Sequence, residues 1–312
     1  MKPTLRILKR VAITLPVIWL VVTVVFLLIH IVPGDPIVQM LGDGATATDI
    51  AALRHSYGLD QPLLTQYAHY WSGLLHGNLG QSLRLHDSVL HLILQRYPYT
   101  LALTVAATLL GALLAIPAGV ASARRQNRFT DRTLGVVSLF GLSFPNFALG
   151  PILILLFAIG LGWLPVSGAG LGPTDFLKHL ILPAITLGVG MAAILTRMVR
   201  TSMLEELSQD YIRTARAKGL SERTVVYRHA LRNALNPVLT VLGLQFGSLL
   251  SGAIVTETIF SWPGLGRLTL SAISNRDYAL VQGCILAIGL TYVAVNLFTD
   301  SLYALADPRM RR

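Results

Sequence analysis

Few residues in this 312-residue chain have the type and spacing to do chemistry. A phosphate loop needs a glycine-rich run ending in Gly-Lys and Ser or Thr. The chain's one Lys-Gly pair, Lys218-Gly219, has no such run before it. There is no His-Glu-x-x-His and no convincing nucleophile constellation. Five histidines, His55, His69, His76, His86 and His91, crowd one stretch, but their spacing never gives an i, i+4 pair. No cysteine or carboxylate cluster joins them, so they read as surface histidines and no metal centre is expected. The single cysteine, Cys284, excludes an intrachain disulfide. Neither catalysis nor a bound cofactor is expected of this chain, and any energy for work must come from a partner.

The densest pattern runs from Arg197 to Asn236, too long for a plain connector. Met203, Leu207, Tyr211 and Ala215 recur every four residues, which predicts one amphipathic helical stripe. Gly219 supplies a left-handed residue to end that helix, with Arg216 and Lys218 near its negative pole. Ser221 can cap a second helix, with Glu222 in its first turn, running through Val226 and Ala230 towards Asn236-Pro237. The pattern is an elbow broken at Gly219. Periodicity alone leaves two readings open, a projecting contact device and a solvated hairpin skimming a membrane.

The elements around this loop are membrane elements. Charged residues make up 13% of the chain, about half the usual share in soluble proteins, roughly 25%. The mean hydropathy is +0.62. A hydrocarbon core about 30 Å thick needs roughly 20 apolar residues in a helix. Six segments qualify: Val11 to Ile31, Leu101 to Ala123, Leu134 to Leu164, Leu180 to Met198, Val238 to Thr256, and Ala279 to Thr299. The expected fold is therefore all-α and polytopic. The first span follows a basic stretch but is too long for a typical secretory signal, so it reads as a retained anchor. The spans lack the buried carboxylate or histidine chain of a proton-driven carrier, since His30 and Asp300 sit at span ends.

The net charge of +10 could suggest nucleic acid, but the basic residues sit in short blocks between the spans. Lys2, Arg6, Lys9 and Arg10, then Arg124, Arg125, Arg128 and Arg132, then the loop from Arg197 on, and finally Arg309, Arg311 and Arg312 fall on one side. That distribution predicts a membrane protein with both termini in the cytoplasm. The chain divides into a tail with the first span (1–32), an external helical segment (33–99), and a core (100–312) that holds the 197–236 loop. In the external segment, Thr48 or Asp49 can cap a helix ending at Gly58, and Pro62 opens a second running towards Gly77. A third short helix can start at Asp87 and feed the second span.

Ser208-Gln-Asp-Tyr-Ile-Arg-Thr-Ala-Arg-Ala-Lys-Gly219, with His229-Ala-Leu-Arg-Asn-Ala234 after it, resembles the EAA loop of binding-protein-dependent ABC importers. More narrowly it resembles the peptide and nickel permease branch. Counting back from Gly219 puts Arg213, Thr214 and Ala215 on the family's Glu-Ala-Ala positions. Arg232 falls on the family's later proline position and Pro237 lies five residues on, a departure that matches the peptide-permease variant. Further matches are Pro33-Gly-Asp-Pro36, Tyr57-Gly-Leu-Asp-Gln-Pro62, Gly77-Asn-Leu-Gly-Gln-Ser82, Phe260-Ser-Trp-Pro-Gly-Leu-Gly-Arg267, Arg276-Asp-Tyr278 and Asp307-Pro-Arg309.

The resemblance implies a permease subunit that imports short peptides, with a nickel-complex or glutathione permease as the alternative within the family. It implies a heterodimer with a second related permease subunit, two ATPase subunits that hold ATP and Mg, and an extracytoplasmic binding protein. The contact to the ATPase would fall on Asp210, Tyr211, Arg213, Thr214, Ala215, Arg216, Ala217, Lys218, Gly219 and Leu220. Arg213, Arg216 and Asp210 would pair with charged sides of a groove there. Candidates for the translocation path are Ser143 and Asn146 at a proline break, Gln245, Asn296, and Glu257, which could meet a peptide's amino group. Each has an equally ordinary reading as helix packing or an interfacial charge. A proton-coupled carrier and a scaffold without transport are the readings from other classes.

Overall fold

The computed structural model describes the backbone of residues 3–31, 37–38, 46–56, 58–82 and 84–306, and their side chains except at 3–12, 53, 251–252 and 300–306. Pro33 to Pro36, Tyr57 and Asp307 to Arg309 lie outside the described residues. Among those described, every regular element is helical. In chain order, those of eight residues or more are α1 (Pro3–Ile31), α2 (Ala47–Ser56), α3 (Leu63–Leu75), α4 (Val89–Arg124), α5 (Phe129–Ser143) and α6 (Asn146–Leu153). Then come α7 (Pro173–Leu207), α8 (Asp210–Ala217), α9 (Leu231–Ile259), α10 (Leu265–Ser274) and α11 (Tyr278–Ala306). Stretches wound as π-helix continue α6 through Ile154–Gly160 and lead into α9 through Val225–Ala230.

Among the described residues four helices are long and apolar enough to cross a membrane, and up to six spans result if each of two bent pairs counts as one. The third expected span is the clearest bent pair. Pro145 lacks a backbone donor and drives the residue before it out of the α region, so Phe144 is extended (φ −84°, ψ 117°) and α6 leaves α5 at 99°. Two boundaries differ from expectation. No separate helix starts at Asp87, because Ser88 accepts the His91 backbone N–H at 3.1 Å and caps one 36-residue helix that continues into the membrane. At about 1.5 Å per residue α4 outreaches the hydrocarbon core, so its first turns stand outside it. The helix also runs through Pro237 rather than starting there. The cap of α2 is Thr46, which exchanges hydrogen bonds with Asp49 (Thr46 N–H to Oδ2 3.1 Å, Asp49 N–H to Oγ1 3.2 Å) in a reciprocal box.

Lipid, not water, suits the outside of this bundle: Leu113 is 73% exposed on the long helix α4, and Phe140 is 70% exposed on α5, half of a bent pair. Inside, helix α4 lies against α7 along their length. Small residues permit that approach. A Cβ at Gly188 would stand 2.6 Å from Leu110 Cδ2, and one at Gly119 would stand 2.6 Å from Val199 Cβ. Helices α9 and α11 meet the same way, with Gly243 against Thr299 and Gly247 against Tyr292. Helix α1 packs on α11 through Val22, Val25 and Leu286.

Candidate coupling site

The chain leaves α7 at Leu207, and the stripe expected to continue through Tyr211 breaks there. Ser208 and Gln209 form a turn, with their backbone N–H groups bonded to Glu205 and Glu206 carbonyls (3.3 and 3.1 Å). Gln209 is extended, and α8 restarts in a new phase. The buried positions are now Ile212 and Ala215, one turn apart, while Tyr211 is 40% exposed. Ile212 and Ala215 join a core with Val199, Met203, Val225, Val226 and Ala230. That core fastens α8 to the bundle. Asp210, Tyr211, Arg213, Thr214, Arg216, Ala217, Lys218, Gly219 and Leu220 remain exposed.

The elbow's corner is a complete left-handed cap. Gly219 (φ +76°) donates to the Arg216 carbonyl at 2.9 Å, and Leu220 donates to the Ala215 carbonyl at 3.3 Å. Ser221 then caps the next turn by accepting the Thr224 N–H at 3.4 Å. Across the corner Arg216 grips Glu222 with two bonds, Nη2 to Oε1 at 2.8 Å and Nε to Oε2 at 3.1 Å. Arg213 bonds Asp210 at 3.2 Å. These groups, expected to reach a partner's charges, are thus first engaged with each other. Arg216 stiffens the corner, whereas the fully solvated Arg213–Asp210 pair contributes little to it. Tyr211 donates its hydroxyl to Glu206 and accepts from Asn233 Nδ2 at 3.0 Å, tying α8 to α7 and α9.

At the opposite end of the bundle the motif from Phe260 to Arg267 folds over Glu257. The Glu257 carboxylate is fully buried. Its Oε1 accepts the Thr100 hydroxyl at 2.6 Å and its Oε2 accepts the Arg267 backbone N–H at 2.9 Å. Thr100 Oγ1 in turn accepts the Leu265 N–H at 2.7 Å. A carboxylate from α9 therefore serves the open N–H groups at the start of α10. The indole of Trp262 donates to the Tyr99 carbonyl at 2.9 Å. Nearby, Ser82 donates to Asp277 at 2.5 Å, which joins the motif ending at Ser82 to the one centred on Asp277.

The description "Binding-protein-dependent transport system inner membrane component" matches residues 115–312, and its N-terminal counterpart matches residues 4–104. The chain belongs to that family. It is 44% identical to the glutathione transport system permease protein GsiC of Escherichia coli O6:H1 over 305 residues, covering 98% of each chain. It is 45% identical to the di/tripeptide transport system permease protein DppB of Pseudomonas aeruginosa, again over 98% of each. Among solved structures, the inward-facing MetNI methionine ABC transporter superposes with a TM-score of 0.58 at 19% identity, over 69% of this chain and 96% of that one. An amino acid ABC transporter crystallised with histidines gives 0.51 at 16% identity, over 70% and 94%. At those identities the likeness is one of fold. This chain is the permease subunit of an ABC importer.

Within the permease the path candidates are spread over four helices, α5, α6, α9 and α11. Ser143 and Asn146 are exposed at the right-angled break between α5 and α6. Gln245 on α9 and Asn296 on α11 are half-buried, with no side-chain hydrogen bond among the described residues. Glu257 departs from its expectation most, since burial and its bonds to Thr100 and Arg267 place it in packing rather than on an open surface.

Sequence reasoning missed Asp131, which is 6% exposed and holds three elements together. It accepts Arg200 Nε at 2.6 Å, Arg200 Nη2 at 2.8 Å, the Asn127 backbone N–H at 2.9 Å and the Ser122 hydroxyl. The available signal was a lone acid among arginines at a span end.

Proposed function

We propose that this permease imports short peptides of two or three residues, glutathione among them, into a bacterial cytoplasm. The observation that carries the mechanism is α8, bolted by Ile212 and Ala215 while its other face stays open beside a stiff corner. Such a helix transmits a push without bending away from it. In this reading the exposed face, with small Ala217 and Gly219 allowing close approach, docks in a groove on an ATPase subunit. Two such subunits hold ATP and Mg, and their closure moves the elbows of this chain and of a second, related permease subunit. The path between the two permeases then alternates between outward and inward access, and an extracytoplasmic binding protein supplies the cargo. The basic end of the bundle, with both termini, faces the cytoplasm of the inner membrane.

The cargo class rests on the cargoes of the two relatives, which are 44% and 45% identical to this chain. Uptake by cells whose only peptide importer contains this chain tests it, with labelled dipeptide, tripeptide, glutathione and a nickel chelate offered in turn. Uptake of the first three is expected. Uptake of the nickel chelate alone overturns the cargo, and peptide uptake that collapses with an uncoupler at constant ATP overturns the energy source.

A further inference from the structure

At the basic end, between α5 and α7, lies a cavity of about 330 Å³ that the coupling elbow does not use. Three guanidinium groups line it, those of Arg132, Arg197 and Arg200. The one carboxylate in its wall, Asp131, is already saturated by Arg200, Ser122 and the Asn127 N–H. Arg200 spends Nε and Nη2 on that carboxylate, which holds its planar group in one orientation. Among the described residues, Arg132 and Arg197 have no side-chain hydrogen bond or ion pair, and both are exposed to the cavity's mouth.

Such a wall carries uncompensated positive charge and a ready set of N–H donors. Guanidinium forks suit the oxygens of a phosphate group. Gly135 leaves open space where a side chain would stand, with nothing within 4 Å of a Cβ placed there. Thr201 adds a hydroxyl at the rim. One turn beyond Gly135, Leu139 is 53% exposed, and Phe140 next to it continues this apolar surface along α5. Charge at a helix end, next to an exposed apolar face, is the arrangement of a headgroup site with room for an acyl chain. We infer that this cavity binds a phosphate group, carried by an anionic phospholipid or free in solution.

The test uses the assembled importer purified in mild detergent, with bound molecules counted by native mass spectrometry. Wild type is offered phosphatidylglycerol, phosphatidylcholine or inorganic phosphate. Retention of phosphatidylglycerol over phosphatidylcholine is expected. The double variant R132Q/R197Q should weaken that retention roughly 25-fold, about fivefold for each charge removed. R132K/R197K, which keeps the charges, should retain most of it. Phosphate binding that is lost in R132Q/R197Q supports the same chemistry with a soluble source. Equal retention of the two lipids together with no phosphate binding overturns the inference, whether or not the variants assemble. Equal affinity in wild type and R132Q/R197Q also overturns it, because the arginines would then not be the site.

Discussion

Glu257 and Thr100, 157 positions apart in the chain, share a 2.6 Å hydrogen bond in the interior of the bundle. The bond joins α9 to α4 and, through the second carboxylate oxygen, to the first turn of α10. It also gives the glycines of the Phe260 to Arg267 motif a reason. A Cβ on Gly264 would stand 2.1 Å from Glu257 Oε1, so the carboxylate would have to leave its partners to make room.

Glu257→Ala should therefore strand buried donors and destabilise the protein by about 3 kcal/mol, with Glu257→Gln costing less. Gly264→Ala should cost a similar amount by overpacking. Made together, Gly264→Ala and Glu257→Ala should cost clearly less than the sum, because Glu257→Ala removes the carboxylate that the new Cβ would strike. Thermal unfolding of the four purified proteins checks this. Strict additivity would break the link. Wild-type substrate affinity in the surviving Glu257→Gln protein would confirm that the carboxylate serves packing.

Gly219 separates backbone from surface effects. Nothing lies within 4 Å of a Cβ there, yet the residue is left-handed. Gly219→Asn should be tolerated, since Asn adopts that conformation, while Gly219→Ala should cost about 1 kcal/mol. Gly219→Asp should insert normally but abolish uptake, by placing a charge on the docking face. Uptake by Gly219→Asp at the wild-type rate would remove the assigned role of the elbow.

Arg200 and Asp131 form a two-bond pair with the carboxylate buried. Arg200→Ala should destabilise by about 3 kcal/mol, because the lone carboxylate keeps its burial cost. Arg200→Lys should recover only part of this, as an ammonium cannot make the fork. Equal stability of Arg200→Lys and wild type would show that charge alone suffices.

In the external segment, His55 Nδ1 lies 2.7 Å from Asp60 Oδ2. The hydrogen bond raises the His55 pKa above 6.5 and lowers that of Asp60 below 3.8. A raised histidine contributes its stabilisation below 6.5 and loses it as pH climbs through the folded value. A lowered aspartate contributes above 3.8 and loses it as pH falls through its own. The pair thus acts in the window between the two. Titration of His55 by NMR should return towards 6.5 in Asp60→Asn, and an unchanged value would dissolve the pair.

The spans, the basic end and the elbow's corner were legible because each is a local pattern. Twenty apolar residues, a block of arginines, or a glycine after Lys218 carry their meaning within a few positions. The phase of α8 was not legible. Met203, Leu207, Tyr211 and Ala215 fit a single stripe, but the turn at Ser208-Gln209 reset the helix and exchanged Tyr211 for Ile212 in the core. Hydrophobic period fixes a face only while the helix is unbroken.

The sequence by itself determined that the chain spans a membrane, that its helices are broken at Pro145 and Gly219, and which family it belongs to. Partnerships between distant residues belonged to the tertiary structure. Glu257 read as an accessible acid until its neighbours Thr100 and Arg267 were in place, and Asp131 drew no attention until Arg200 lay across it. A side chain's solvent and hydrogen-bond partners are set by helices that meet across the bundle. Spacing along one chain segment cannot report them.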